Sequence, residues 1–77
     1  MNKNDLLSLI KNALEVQHVD SCSSMDTIQE WDSLGHLSIL SAIDERLDGK
    51  AADLSDLASA TSVEKIISIL EKNSLMS

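Results

Sequence analysis

Apolar residues recur at helical spacing along three stretches of this sequence, and no proline interrupts any of them. Leu6, Leu9, Ile10, Ala13 and Leu14 form the first stripe, and Val63, Ile66, Ile67 and Leu70 the last. Between them, Leu34, Leu37, Leu40, Ile43 and Leu47 mark the expected buried face of a second helix. Steps of three and four place each set on one side of a 3.6-residue helix. Strand-like alternation is not evident, and the strand-favouring Phe and Tyr are absent. The pattern predicts an all-α fold.

Capping residues set the expected boundaries. Asn4 or Asp5 can cap a first helix over about 4–16. The polar, serine-rich stretch from Gln17 to Asp32 then reads as a long loop, a length that is usually functional or mobile. Asp32 and Ser33 are both good N-caps for a second helix over 33–48. It should close at Asp48-Gly49, where glycine takes the left-handed conformation that ends helices. Leu54, Leu57 and Ala58 predict a short helix over 54–59. Thr61-x-x-Glu64 fits a capping box opening a last helix over 62–73. The expectation is one domain, 1–77, folded as a small four-helix bundle of three main helices and one short one.

A chain of 77 residues has room for one thin core and little room for a deep catalytic cavity. Its single cysteine rules out a disulfide framework. No stretch approaches the ~20 apolar residues of a membrane span, and the first residues lack the shape of a signal peptide. A cytoplasmic monomer is expected. His18, Cys22 and His36 lack zinc-ligand spacing. Asp44 to Ser55 fails as a calcium loop, with Arg46 at a ligand position and Ser55 in place of the closing Glu. No metal is expected.

The net charge of −7 is concentrated in the middle of the chain. From Asp20 to Asp56 nine acids face only Arg46 and Lys50, and nine minus two is seven. Outside that span the charges cancel. Such a field repels nucleic acid and anionic lipid and attracts basic protein surfaces. Asp44, Glu45 and Asp48 are candidates for contacting such partners.

The stretch most suggestive of chemistry is Trp31-Asp32-Ser33-Leu34-Gly35-His36-Leu37. A serine at a helix start after a long loop is open to another enzyme. A phosphodiester on its hydroxyl would lie beside unpaired N–H groups and the positive end of the helix dipole. Ser33 and His36 also share a helix face. However, Asp32 is badly placed to orient His36, so a hydrolase triad is not expected. His36 is instead expected at the surface or rim, and Trp31 to pack as a staple onto Leu37. Gly35 is expected to give a partner or prosthetic arm close access to the backbone.

Asp32-Ser33-Leu34, opening the second helix of a short acidic helical chain, resembles the acyl carrier protein family. The resemblance covers helix order, long first loop, motif position, short third helix and capped last helix. It implies that Ser33 receives 4′-phosphopantetheine from coenzyme A through a phosphopantetheinyl transferase. The thiol of that arm would hold acyl groups as thioesters. It also implies that Asp32 and Leu34 help the transferase recognise Ser33, and that acyl-activating or acyl-transferring enzymes with basic surfaces are partners. The chain would then be a carrier and not an enzyme, its helices parting to shelter an acyl chain. Glu30, Gly35 and Ser38 depart from the fatty-acid type of carrier, which suggests a dedicated carrier in another pathway. Two alternatives are an aminoacyl or peptidyl carrier with the same attachment, and a helical adaptor with no prosthetic group.

Overall fold

The computed structural model describes residues 1–76, with the backbone alone at Ala52 and Asp53. Three α-helices carry the fold: α1 (Lys3–Leu14), α2 (Ser33–Arg46) and α3 (Val63–Lys72). The short helix expected at 54–59 is instead a pair of 3₁₀ turns, Lys50–Asp53 and Ser55–Ser59. No strand occurs among the described residues, and the all-α expectation holds.

Each helix end has a local cause. Asn2, not Asn4 or Asp5, caps α1: its Oδ1 accepts from the Asp5 N–H at 2.8 Å, and Asp5 Oδ2 accepts from the Asn2 N–H at 3.2 Å. This reciprocal box pairs two otherwise unsatisfied donors. The helix ends where Glu15 turns left-handed at φ 56° and the Val16 N–H returns to the Lys11 carbonyl. Its expected end at 16 is therefore two residues too late. At the end of α2, Asp48 takes the left-handed position at φ 55°, ahead of Gly49 at φ 85°. The Gly49 N–H then reaches back to the Asp44 carbonyl at 2.8 Å, closing a Schellman motif. Ser62 caps α3 by accepting from the Lys65 N–H, so the expected Thr61–Glu64 box is out by one residue.

The core forms where the three helices meet. Leu6 and Ile10 of α1, Ile39 and Ile43 of α2, and Val63, Ile66 and Leu70 of α3 are completely buried. Trp31, Leu57 and Ala60 close it from the loops and the second 3₁₀ turn. A Leu or Ile buried this fully is worth about 1.5–3 kcal/mol over an exposed one.

The α2 face differs from the expected leucine stripe. His36, Ile39 and Ile43 point inward, whereas Leu40 and Leu47 are half-buried and Leu34 and Leu37 are exposed. Apolar residues lie on more than one side of this helix, so spacing alone could not choose between them. Two local features set its rotation. Trp31 sits behind His36, and Gly35 lies against the Glu30 carbonyl and Leu14.

The loop from 15 to 32 is tied to the body. Val19 and Ser23 are buried, and Ser24 pairs with Ser62 in an isolated antiparallel bridge. The Val63 N–H, a first-turn donor of α3, is satisfied by the Ser23 carbonyl at 3.0 Å. The Met25 N–H bonds the Thr61 carbonyl at 2.9 Å. Long as it is, the loop delivers Trp31 to a defined place.

Candidate functional site at the start of α2

Asp32 is the N-cap of α2. Its backbone is extended, its Oδ1 accepts from the Gly35 N–H at 2.8 Å, and its carbonyl accepts from the His36 N–H at 2.8 Å. Of the two candidate caps, the aspartate takes the role and releases the serine. Ser33 is the first helical residue, exposed, and its hydroxyl forms no hydrogen bond among the described residues. The N–H groups of Ser33 and Leu34 are the first-turn donors that the cap leaves free. A nucleophile-sized hydroxyl thus projects into solvent beside two unpaired donors.

The support beneath Ser33 was only partly anticipated. Trp31 is buried and packs against His36, whereas Leu37 is 60% exposed. These two occupy the positions before the cap and four after it, which is staple spacing with a histidine as the inner partner. His36 is 6% exposed rather than at the surface. Its Nδ1 accepts from Trp31 Nε1 at 3.1 Å, and its Nε2 lies 3.0 Å from the Leu57 carbonyl. Both ring nitrogens are engaged, so His36 has none to offer Ser33 as a base. Its structural role was missed, although a Trp and a His five residues apart across a cap was a usable signal.

Gly35 serves the chain's own packing. A Cβ there would collide with the Glu30 carbonyl oxygen and lie 2.8 Å from Leu14 Cδ2. The expected opening for an arm or partner is filled by the preceding loop.

Leu34, 75% exposed, and Leu37 lie beside Ser33 and give this end of the helix an apolar surface. Asp32, Ser33 and Leu34 form the cap and first two positions of α2. Asp44 and Glu45 stand at the other end of α2, eleven and twelve positions beyond Ser33, about 16–18 Å along the axis. Glu45 and Asp48 are exposed, whereas Asp44 is half-buried with its Oδ1 enclosed. Arg46, the base in this acidic stretch of α2, leans onto Asp5 of α1 at 3.4 Å. Between α2 and the 3₁₀ turns runs a groove of about 330 Å³, with Leu40, Asp44, Leu54 and Leu57 among its walls.

Among the described residues, no group of three or more His, Cys, Asp or Glu side chains is placed to hold a metal ion. None of the described helices is long and apolar enough to cross a membrane. No protein-family model matches this chain, and comparison with curated proteins and with solved structures likewise finds no match.

Proposed function

We propose that the protein is an acyl carrier protein whose Ser33 bears 4′-phosphopantetheine. One observation carries the reading: the Ser33 hydroxyl is exposed and unbonded because Asp32 has taken over the capping role. A serine kept only as a cap would itself accept the first-turn N–H.

The residues present fit the group. The free N–H groups of Ser33 and Leu34 would face its phosphate, and the helix dipole favours an anion there by roughly 0.3–1 kcal/mol. The Asp32 carboxylate offsets part of that gain, so the site would hold the arm by its covalent bond and not by affinity. When bound, the arm supplies a terminal thiol that carries acyl groups as thioesters. Ser33 provides the anchoring oxygen, Asp32 fixes the first turn, and Trp31 and His36 keep that turn seated on the core. Exposed Leu34 and Leu37, with the acids Glu45 and Asp48, offer an apolar and anionic surface to a phosphopantetheinyl transferase and to basic acyl-transferring enzymes. On this reading the paired 3₁₀ turns stand in the place of the carrier's short third helix, completing a small four-helix bundle.

The test is direct. The protein is incubated with coenzyme A, Mg²⁺ and a promiscuous phosphopantetheinyl transferase, and the intact chain is weighed. One phosphopantetheinyl increment on the wild type and none on Ser33→Ala supports the carrier. No increment on the folded wild type refutes it and leaves a non-covalent helical adaptor.

A further inference from the structure

Two adjacent residues at the start of α2 compete for one role. Aspartate and serine are about equally good N-caps, so local preference does not choose between Asp32 and Ser33. A helix begun one residue later would have Ser33 as its cap, with Oγ accepting from the Gly35 or His36 N–H. The hydroxyl would then be bonded to the chain's own backbone. The observed frame has Asp32 as cap, its Oδ1 accepting from the Gly35 N–H at 2.8 Å, and leaves Ser33 unbonded. The two frames differ in what lies around the cap. In the observed frame the residue before the cap is Trp31 and the fourth helical residue is His36. They are 1% and 6% exposed, and Trp31 Nε1 donates to His36 Nδ1 at 3.1 Å. In the later frame those positions fall to Asp32, a carboxylate, and Leu37, which is largely exposed. That pair cannot staple. Gly35 makes room for the Glu30 carbonyl but has no side chain with which to hold the loop.

We propose that His36 is a positioning residue for Ser33: by accepting from Trp31 it holds the capping frame at Asp32 and keeps the Ser33 hydroxyl free. The effect on modification rests on the carrier reading, whereas the choice of cap does not. Both ring nitrogens of His36 are engaged elsewhere, so it acts through Trp31 and the cap and not as a base. Its Nε2, 3.0 Å from the Leu57 carbonyl, fixes the ring with Nδ1 towards the indole. Loss of the Nδ1 acceptor would remove the preference for the earlier frame. Ser33 would then spend part of its time as the cap, with its hydroxyl occupied.

The experiment is a pair of double-mutant cycles followed by urea unfolding. Ser33→Ala is combined with His36→Asn, whose Oδ1 stands in the place of Nδ1, and with His36→Gln, whose amide reaches the place of Nε2 instead. Loss of a working N-cap lowers the folding equilibrium constant about fivefold. Ser33→Ala should therefore change that constant by no more than about twofold in the wild type and in His36→Asn. In His36→Gln it should lower it about fivefold. With folding confirmed by circular dichroism, kcat/KM for modification of Ser33 by the transferase should fall in His36→Gln and stay near the wild-type value in His36→Asn. Trp31→Phe removes the indole N–H and leaves His36 in place. It should reproduce the His36→Gln result, and it decides the matter if neither His36 variant folds. A Ser33→Ala effect of the same size in every background overturns the inference, as does one that appears equally in His36→Asn and His36→Gln. A wild type that is never modified refutes the carrier reading, while the urea cycles still judge the cap.

Discussion

Trp31 Nε1 donates to His36 Nδ1 at 3.1 Å, with the two ring planes 19° from parallel and 6.2 Å between centroids. Because Nδ1 accepts, the ring proton is assigned to Nε2, which donates to the Leu57 carbonyl at 3.0 Å. The chain of bonds joins the loop before Ser33, the first turn of α2 and the second 3₁₀ turn. It links the Ser33 end of α2 to the wall of the groove, which Leu57 lines.

His36→Leu keeps most of the side-chain volume but strands the Trp31 indole N–H and leaves the Leu57 carbonyl with the Ala60 N–H alone. An orphaned buried donor costs about 1–3 kcal/mol. A domain of this size has only roughly 4–12 kcal/mol in total, at 0.05–0.15 per residue. Urea unfolding should therefore show a large loss for this variant. A midpoint equal to that of the wild type would mean that the bond chain does not form.

Gly35→Ala reverses a familiar sign. Alanine is the better helix former by ~1 kcal/mol, so at an open helical position the change stabilises. Here the new methyl meets the Glu30 carbonyl, which is backbone and cannot swing away, and Leu14 of α1. Overpacking of this kind costs typically 1–3 kcal/mol. Chemical denaturation should show net destabilisation, with Trp31 fluorescence altered because Glu30 is its neighbour in the chain.

These two residues explain what sequence reading could and could not reach. The stripes of α1 and α3 were legible because their apolar residues favour one face, and both helices bury it. On α2 the periodicity was ambiguous, since Leu34, Leu37 and Leu40 have spacing as helical as that of Ile39 and Ile43. A tertiary contact at Gly35 and a tryptophan delivered by a long loop decided its rotation. The Asp-Ser-Leu start was legible because capping is local chemistry. The enclosure of Asp44 Oδ1 was not, because burial of a single side-chain atom is decided by packing and not by the local sequence pattern.

Asp20 gives the loop a dependence on acid. The His18 side chain, then the Cys22 N–H, hold its carboxyl below the ordinary value of 3.8. A depressed carboxyl contributes stability above its unfolded pKa and loses it as pH falls through the lower folded value. Protection of the Cys22 and Ser23 amides from hydrogen exchange should therefore fall below pH 3.8. In Asp20→Asn that acid-induced loss should be absent.

Asp32 and Ser33 should separate cleanly when substituted. Asp32→Ala removes the acceptor of the Gly35 N–H and should cost about 1 kcal/mol of unfolding free energy. Ser33→Ala removes an exposed, unbonded hydroxyl and should stay within about 0.5 kcal/mol of wild type. Transferase assays should invert the order, with Ser33→Ala wholly unmodified and Asp32→Ala still modified at a reduced rate. A large stability loss in Ser33→Ala would return that serine to a structural role.

Leu34 and Leu37 provide the sharpest contrast between surface and core. Both are apolar, lie on α2 within six residues of Ile39, and look equivalent to it in a hydrophobicity profile. Ile39 is completely buried, so Ile39→Ala should cost about 2–5 kcal/mol. Leu34 and Leu37 remain largely in water, so Leu34→Ser and Leu37→Ser should each change stability by no more than about 0.5 kcal/mol. Their loss should instead slow modification of Ser33, because a docking transferase would bury them first. Measured side by side, unfolding curves and modification rates should therefore sort the three residues in opposite orders. If Leu34→Ser and Leu37→Ser are both modified at the wild-type rate, the apolar patch beside Ser33 is not what the transferase reads.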